Sequence, residues 1–315
     1  MVVKSQFFRR SVPYQVSTEA STIANNLILI SGPARSGTSL LGNLIASFES
    51  IEYSFEPSTL FTLLRLKKKI PLESWKLVYE TYLYEDLLLG AVSGRSANFR
   101  KKDESSIHNY KDDEEIKRRL EGPGSKSQIQ RLSVDRRLAI KLPDVVDVLP
   151  SLSKTYPDVS IIIIFREPMT TINSWLSRAW LSDESLTGGL SLIPFRRYKN
   201  FRIPHFIPLG REEYFVELSE LDRIVYYLNH VYESIILLPK KILIRYEDIC
   251  DQPNKTVLSL STVLKTVPTK KTYELMSKIR PIENLHQNFL ESYSCNLDET
   301  NSKYGTLVTQ SSLQR

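Results

Sequence analysis

The sequence predicts an α/β protein in three layers, a central parallel sheet flanked by helices, and three observations carry that prediction. Short runs of β-branched residues and leucine at 26–30, 138–142, 160–165 and 241–245 read as buried strands, because a strand covered on both faces loses its polar alternation. Between them lie segments with helical spacing: Leu40, Leu41, Leu44, Ile45 and Phe48, a helix over 145–155, and Leu218, Leu221, Ile224, Val225, Leu228 and Val231. Strands that alternate with helices at such intervals pair in parallel through crossover connections.

The chain has 315 residues, 41% of them hydrophobic and 25% charged, which is enough apolar material for one large core and too much for global disorder. No Pro/Gly/Ser-rich linker parts two cores, so a single domain over 1–315 is expected. Three segments fit the plan poorly. Residues 95–130 are charged, hold the breaker run Gly122-Pro123-Gly124, and read as an insertion. Residues 186–210, with Gly188-Gly189 and two prolines ahead of His205, read as an irregular lid over a substrate, and 282–315 as a weakly patterned tail.

A formal charge of +6 and a pI near 9.1 favour anionic partners. The basic residues are scattered, with only short clusters at Lys67-Lys68-Lys69 and Arg118-Arg119, so no nucleic-acid partner is expected. Two distant cysteines, Cys250 and Cys295, make no disulfide scaffold and have no metal-ligand spacing. Residues 1–10 lack a signal peptide's apolar stretch and no apolar run reaches bilayer length, so the expected location is the cytoplasm, without a transmembrane segment.

The first strand runs into Gly32-Pro33-Ala34-Arg35-Ser36-Gly37-Thr38-Ser39 and then a helix. Gly32 and Gly37 have the spacing of a phosphate-cradling loop, whose small residues let backbone N–H groups turn toward an anion while the helix adds its positive end. This order makes the expected fold P-loop-type. Thr38 stands where a nucleotide triphosphatase has its lysine, and the basic side chain is instead Arg35, inside the loop. The run 160–165 ends in Arg166 rather than in a carboxylate that would hold Mg²⁺, which suits a phosphate bound without metal. By itself the loop reads equally as any Gly-rich strand-to-helix turn.

Arg166-Glu167-Pro168 sits at the end of a buried strand, with Pro168 suited to the first position of the next helix and Ser174 two turns on. Arg166 and Ser174 are thus placed to converge on one phosphate. Taken alone, Arg166 reads as readily as the partner of Glu167 at a surface turn. Two anion sites on neighbouring strand ends imply a ligand with phosphates at both ends.

These features resemble the PAPS-dependent sulfotransferases. The loop from Gly32 to Leu41 is similar to their 5′-phosphosulfate loop, Arg166 with Ser174 to their 3′-phosphate motif, and Tyr246-Glu247-Asp248 to a third segment whose tyrosine approaches the adenine. The resemblance covers residues 26–264 in the family's order. It implies that Arg35, Ser36, Gly37, Thr38 and Ser39 hold the phosphosulfate end of 3′-phosphoadenosine 5′-phosphosulfate (PAPS; product PAP), that Arg166 and Ser174 hold the 3′-phosphate, and that Tyr246 lies near the base. Tyr246 reads equally as a core residue closing a strand.

Departures from the family refine the reading. Cytosolic members have Lys-Thr-His-Leu-Pro with the histidine as base, whereas this chain has Lys141-Leu142-Pro143. Members with a carboxylate base place a glutamate where this chain has Glu56, in Tyr53-Ser54-Phe55-Glu56-Pro57. Apolar neighbours would raise its pKa toward the range of a general base. The plainer alternative is a helix-start glutamate ahead of Pro57, and His205 is the reserve candidate. Leu40 stands where cytosolic animal enzymes stack a tryptophan on adenine, and no Arg-Lys-Gly occurs near the C-terminus, both pointing to a bacterial or tyrosylprotein-like branch.

The expected reaction is in-line transfer of a sulfuryl group from PAPS to a hydroxyl or amine of a small-molecule acceptor. Glu56 takes the proton, Lys141 assists at the sulfuryl or bridging oxygens, and Arg35 with the loop N–H groups stabilises the leaving phosphate. A nucleotide kinase or NTPase, and a nucleotide-binding protein without turnover, are the rivals. The aromatic residues Phe61, Trp75, Tyr79, Tyr82 and Tyr84 suit an alcohol, phenol or secondary metabolite better than an anionic polysaccharide.

Overall fold

The computed structural model describes residues 14–188, 194–279 and 297–312. Its strands are β1 (Ile28–Ser31), β2 (Ile51–Phe55), β3 (Arg137–Lys141), β4 (Ser160–Phe165), β5 (Phe195–Tyr198), β6 (Phe201–Pro204) and β7 (Ile242–Arg245). Five of them form a parallel sheet in the order β2-β3-β1-β4-β7. Leu29 stands level with Ile140 on one side and Ile161 on the other, and Ile163 with Leu243. The sheet, with helices on both faces, is the α/β architecture the sequence predicts.

Strand alternation divides the core in two. Leu29, Ile140, Ile161, Ile163 and Phe165 enter one apolar cluster, with Trp175 and the long helix Glu220–Leu237. Ile28, Ile30, Ile162 and Ile164 enter the other, with Leu41, Leu44 and Ile45 of the helix Thr38–Ala46 and Val257, Leu260 and Leu264 of Pro253–Leu264. Because successive side chains of a strand point to opposite faces, Ser-Ile-Ile-Ile-Ile-Phe supplies both clusters at once. Each such side chain contributes roughly 1.5–3 kcal/mol by leaving water.

β2 is a strand the apolar pattern misses, because Glu52 and Ser54 interrupt it. Glu52 is nevertheless fully buried. Both carboxylate oxygens accept from Arg119, at 2.8 and 2.9 Å, and Arg136 adds a bond at 2.5 Å. Burial alone would drive the Glu52 carboxyl up, but Arg119 and Lys111 hold it below its ordinary value. Lys111 donates to the carbonyls of Ala46 and Ile51 at 2.9 and 2.7 Å. Residues 95–130, which contain the helix Asp113–Glu121 and, past Gly122-Pro123-Gly124, the start of the helix Lys126–Ser133, are pinned to β2 through Lys111 and Arg119.

Within 186–210, β5 and β6 pair as an antiparallel hairpin, so 195–204 is regular where irregular chain is expected; 189–193 lie outside the described residues. The helix Asp298–Ser312 packs on the long helix and on β7, and Tyr304 meets the rings of Phe165 and Tyr232. Residues 1–13, 280–296 with Cys295, and 313–315 lie outside the described residues; Cys250 is buried and free. Among the described residues no helix is long and apolar enough to cross a membrane.

Candidate active site

The loop after β1 is shaped by close approach. A Cβ at Gly32 would stand 2.0 Å from the carbonyl oxygen of Ile164 in β4, and one at Gly37 would stand 2.3 Å from the Tyr246 ring. Both glycines have positive φ, +143° and +93°, as does Arg35 at +69° without a glycine's freedom. The helix Thr38–Ala46 starts immediately after Gly37 and leaves its first N–H groups without intrahelical partners.

A cleft of about 430 Å³ opens over this turn. Arg35, Gly37, Thr38, Ser39, Glu56, Lys141, Arg166 and Tyr246 line it, so eight of the ten expected residues are brought together from five segments of chain, while Ser36 is fully buried and neither it nor Ser174 lines the cleft. Ser174 is tied to the loop itself: its hydroxyl accepts from Arg35 Nε at 2.9 Å. Arg166 lies with its guanidinium carbon 4.3 Å from the centre of the Tyr246 ring, and its carbonyl accepts from the Tyr232 hydroxyl at 2.7 Å. Glu167 caps the helix Pro168–Leu176 through the N–H groups of Met169 and Thr170, at 2.9 and 2.7 Å.

Lys141, the last residue of β3, is buried and donates to Glu56 Oε1 at 2.5 Å and to Ser39 Oγ at 3.0 Å. Its ammonium also sits 4.0 Å from the centre of the Phe55 ring. The immediate partner of the Glu56 carboxylate is therefore a cation, where an apolar surround is expected. Glu56 follows β2 at φ +46°, its own N–H donating to the Lys141 carbonyl at 3.0 Å. Side-chain exposure is 37% for Glu56 and 4% for Lys141, so the carboxylate is the member of the pair that an incoming molecule reaches.

His205 does not line the cleft. Its Nδ1 is 2.9 Å from Arg65 Nη2, and burial together with that guanidinium pushes the imidazole down to about 3. A neutral ring fixed by Arg65 sits apart from the loop chemistry.

Sequence reading missed Glu104, Arg178 and Trp180 as lining residues. Arg178 lies in the turn just past the helix Pro168–Leu176, where no periodicity marks it. Trp180 lies under the Arg35 guanidinium, 5.7 Å from ring centre to carbon, and Glu104 Oε2 accepts from Ser39 at 3.4 Å. Four cations, Arg35, Lys141, Arg166 and Arg178, thus face two carboxylates, Glu56 and Glu104. The Ser36 hydroxyl and Arg166 Nε are buried with no hydrogen-bond partner among the described residues. Three guanidinium groups, an ammonium, hydroxyls and a helix N-terminus form a donor set that fits an anionic ligand spanning from the loop to Arg166.

A family model described as "Sulfotransferase family" matches residues 28–191, which takes in every residue lining the cleft except Tyr246. No curated protein sequence matches the chain. Among solved structures it is similar to the sulfotransferase domain from the curacin biosynthetic pathway, at 15% identity and a TM-score of 0.45 over 89% of this chain and 97% of that one. It is also similar to sulfotransferase STF9 from Mycobacterium avium (14%, TM-score 0.45, covering 90% and 76%) and to a sulfotransferase from Alicyclobacillus acidocaldarius (13%, TM-score 0.38, covering 91% and 95%).

Proposed function

The chain belongs to the sulfotransferase family, and from that premise we propose that it moves the sulfuryl group of PAPS to a hydroxyl or amine of a small-molecule acceptor. The observation that carries this reading is the Glu56–Lys141 pair at 2.5 Å beside the phosphate loop, one proton acceptor and one cation within a single cleft. Arg35, Ser36, Gly37, Thr38 and Ser39 bind the phosphosulfate end, Arg166 binds the 3′-phosphate, and Tyr246 with Arg166 stacked on it borders the base. Ser174 acts on the donor through Arg35, whose Nε–H donates to its hydroxyl.

In the reaction, Glu56 accepts the proton of the acceptor hydroxyl as its oxygen bonds to sulfur and the bond from sulfur to the bridging oxygen breaks. Lys141 leaves Glu56 for that bridging oxygen. Arg35 and the N–H groups at the start of Thr38–Ala46 stabilise the charge that gathers on the departing 5′-phosphate, usually the largest contribution when no covalent intermediate forms. Phe55, Leu40, Pro143 and Trp180 give the cleft apolar walls, supporting an alcohol, phenol or secondary metabolite as acceptor.

Label transfer from radioactive PAPS to a panel of alcohols, phenols and amines tests the reading, with Glu56→Gln as control. The expected result is transfer to at least one acceptor and a loss of about 10²–10⁴ in turnover for the variant. Full turnover by Glu56→Gln would overturn the assignment of the base, and no transfer to any acceptor would overturn the activity.

A further inference from the structure

Asp144 is a buried carboxylate that the proposed chemistry does not use. It follows Lys141-Leu142-Pro143 at φ +61°, 8% exposed, and grips the phosphate loop from both its backbone and its side chain. Its N–H donates to the Gly32 carbonyl at 3.1 Å. Its Oδ1 accepts from the Ala34 N–H at 2.9 Å and from the Tyr227 hydroxyl, and that hydroxyl in turn shares the Ala34 N–H at 2.9 Å.

The next peptide is held too. Trp175 Nε1 donates to the Ala34 carbonyl at 3.0 Å. With one side of Ala34 fixed by Asp144 and Tyr227 and the other by Trp175, the planar trans peptide that enters Arg35 has its orientation set, its N–H opposed to the Trp175 side. Arg35 then sits at φ +69° with Nε on Ser174. A phosphate loop ordinarily turns its N–H groups toward the anion, whereas the Ala34 N–H is turned inward.

We propose that Asp144, together with Tyr227, is a positioning residue that holds the phosphate loop in the conformation from which Arg35 binds the donor. The proposal rests on the reading that Arg35 grips the phosphosulfate end. Asp144 does its work through two hydrogen bonds accepted at one oxygen, which an asparagine reproduces and an alanine does not. The charged and titratable groups facing it are Tyr227 from the long helix, Lys141 from β3 and Glu56 from the end of β2.

The test is a double-mutant cycle read by calorimetric binding of adenosine 3′,5′-bisphosphate. Asp144→Ala is expected to weaken binding on the order of tenfold, and Asp144→Asn to stay within about threefold of wild type because it restores the acceptor. In an Arg35→Ala background, Asp144→Ala is expected to cost almost nothing further, since the clamp acts only through Arg35. Additive losses, or an asparagine as damaging as alanine, would overturn the proposal. Tyr227→Phe run through the same cycle carries the test where Asp144→Ala fails to fold. A wild-type chain that binds no bisphosphate would overturn both the donor reading and the clamp, while binding with additive losses overturns the clamp alone.

Discussion

Lys141 is held by Glu56 Oε1 at 2.5 Å, so the ammonium is not free for a substrate while so paired. On the proposed reading the donor offers Lys141 a second anion, and this exchange of partners would release the carboxylate oxygen it holds. Glu56→Gln removes the competitor and leaves the ammonium available, so this variant should lose turnover yet bind adenosine 3′,5′-bisphosphate as tightly as wild type or up to about tenfold more tightly. Binding that weakens with turnover would show that Glu56 holds the donor instead. Asp144 supports a second prediction at the same scale. Burial pushes its carboxyl up to about 7, against the pull of the Tyr227 hydroxyl and the Ala34 N–H, from an ordinary 3.8. Between about pH 4 and 7 the folded chain keeps this proton while the unfolded chain loses it, so the group's contribution to stability falls as pH rises through that window. The melting temperature of wild type should therefore drop relative to Asp144→Asn from pH 4 to 7 and run parallel to it above. Parallel curves throughout would mean that Asp144 is ionised across the whole range.

Among the elements, β2 shows what a linear pattern conceals. Its Glu52 looks like the residue of a solvated edge, yet it is buried because Arg119 and Arg136 meet it from 67 and 84 positions away. Removing one member of such a network leaves a charge unpaired in the interior. Arg119→Leu should destabilise the chain by about 3–5 kcal/mol, seen as a lower denaturation midpoint, and should also loosen Glu56 at the end of the same strand. An unchanged midpoint would mean that water reaches Glu52 freely. β1, β3, β4 and β7 were legible because each is a short apolar run, and the phosphate loop because glycine spacing is local. The Arg35–Ser174 bond was not, since it joins residues 139 positions apart and no spacing encodes it. Glu104 was hidden for the same reason, reaching Ser39 from within a charged segment that reads only as an insertion. The hairpin of β5 and β6 escaped because its Phe-Arg-Arg-Tyr and Phe-Arg-Ile-Pro strands lack an unbroken apolar run.

Across the whole molecule, every strand of the parallel sheet ends at the cleft. β1 leads into the loop, β2 ends beside Glu56, β3 ends at Lys141, β4 precedes Arg166 and β7 precedes Tyr246. Open parallel sheets bind ligands at the carboxyl ends of their strands, and here all five ends contribute. A ligand seated on that edge braces elements from both apolar clusters at once, so its binding should register in global stability. Bisphosphate at about a hundredfold excess over its dissociation constant adds about 2.7 kcal/mol, or roughly 4 °C in melting temperature for a chain of 315 residues. The cleft's four cations against two carboxylates make the shift depend on charge, so it should shrink as salt rises from low to high ionic strength. It should also persist in EDTA, because on the proposed reading the phosphates are met by protein groups, Arg35, Arg166 and the loop, with no metal between. Stabilisation by ATP that requires Mg²⁺, with none from the bisphosphate, would instead identify a nucleotide-triphosphate site and remove sulfuryl transfer from this cleft.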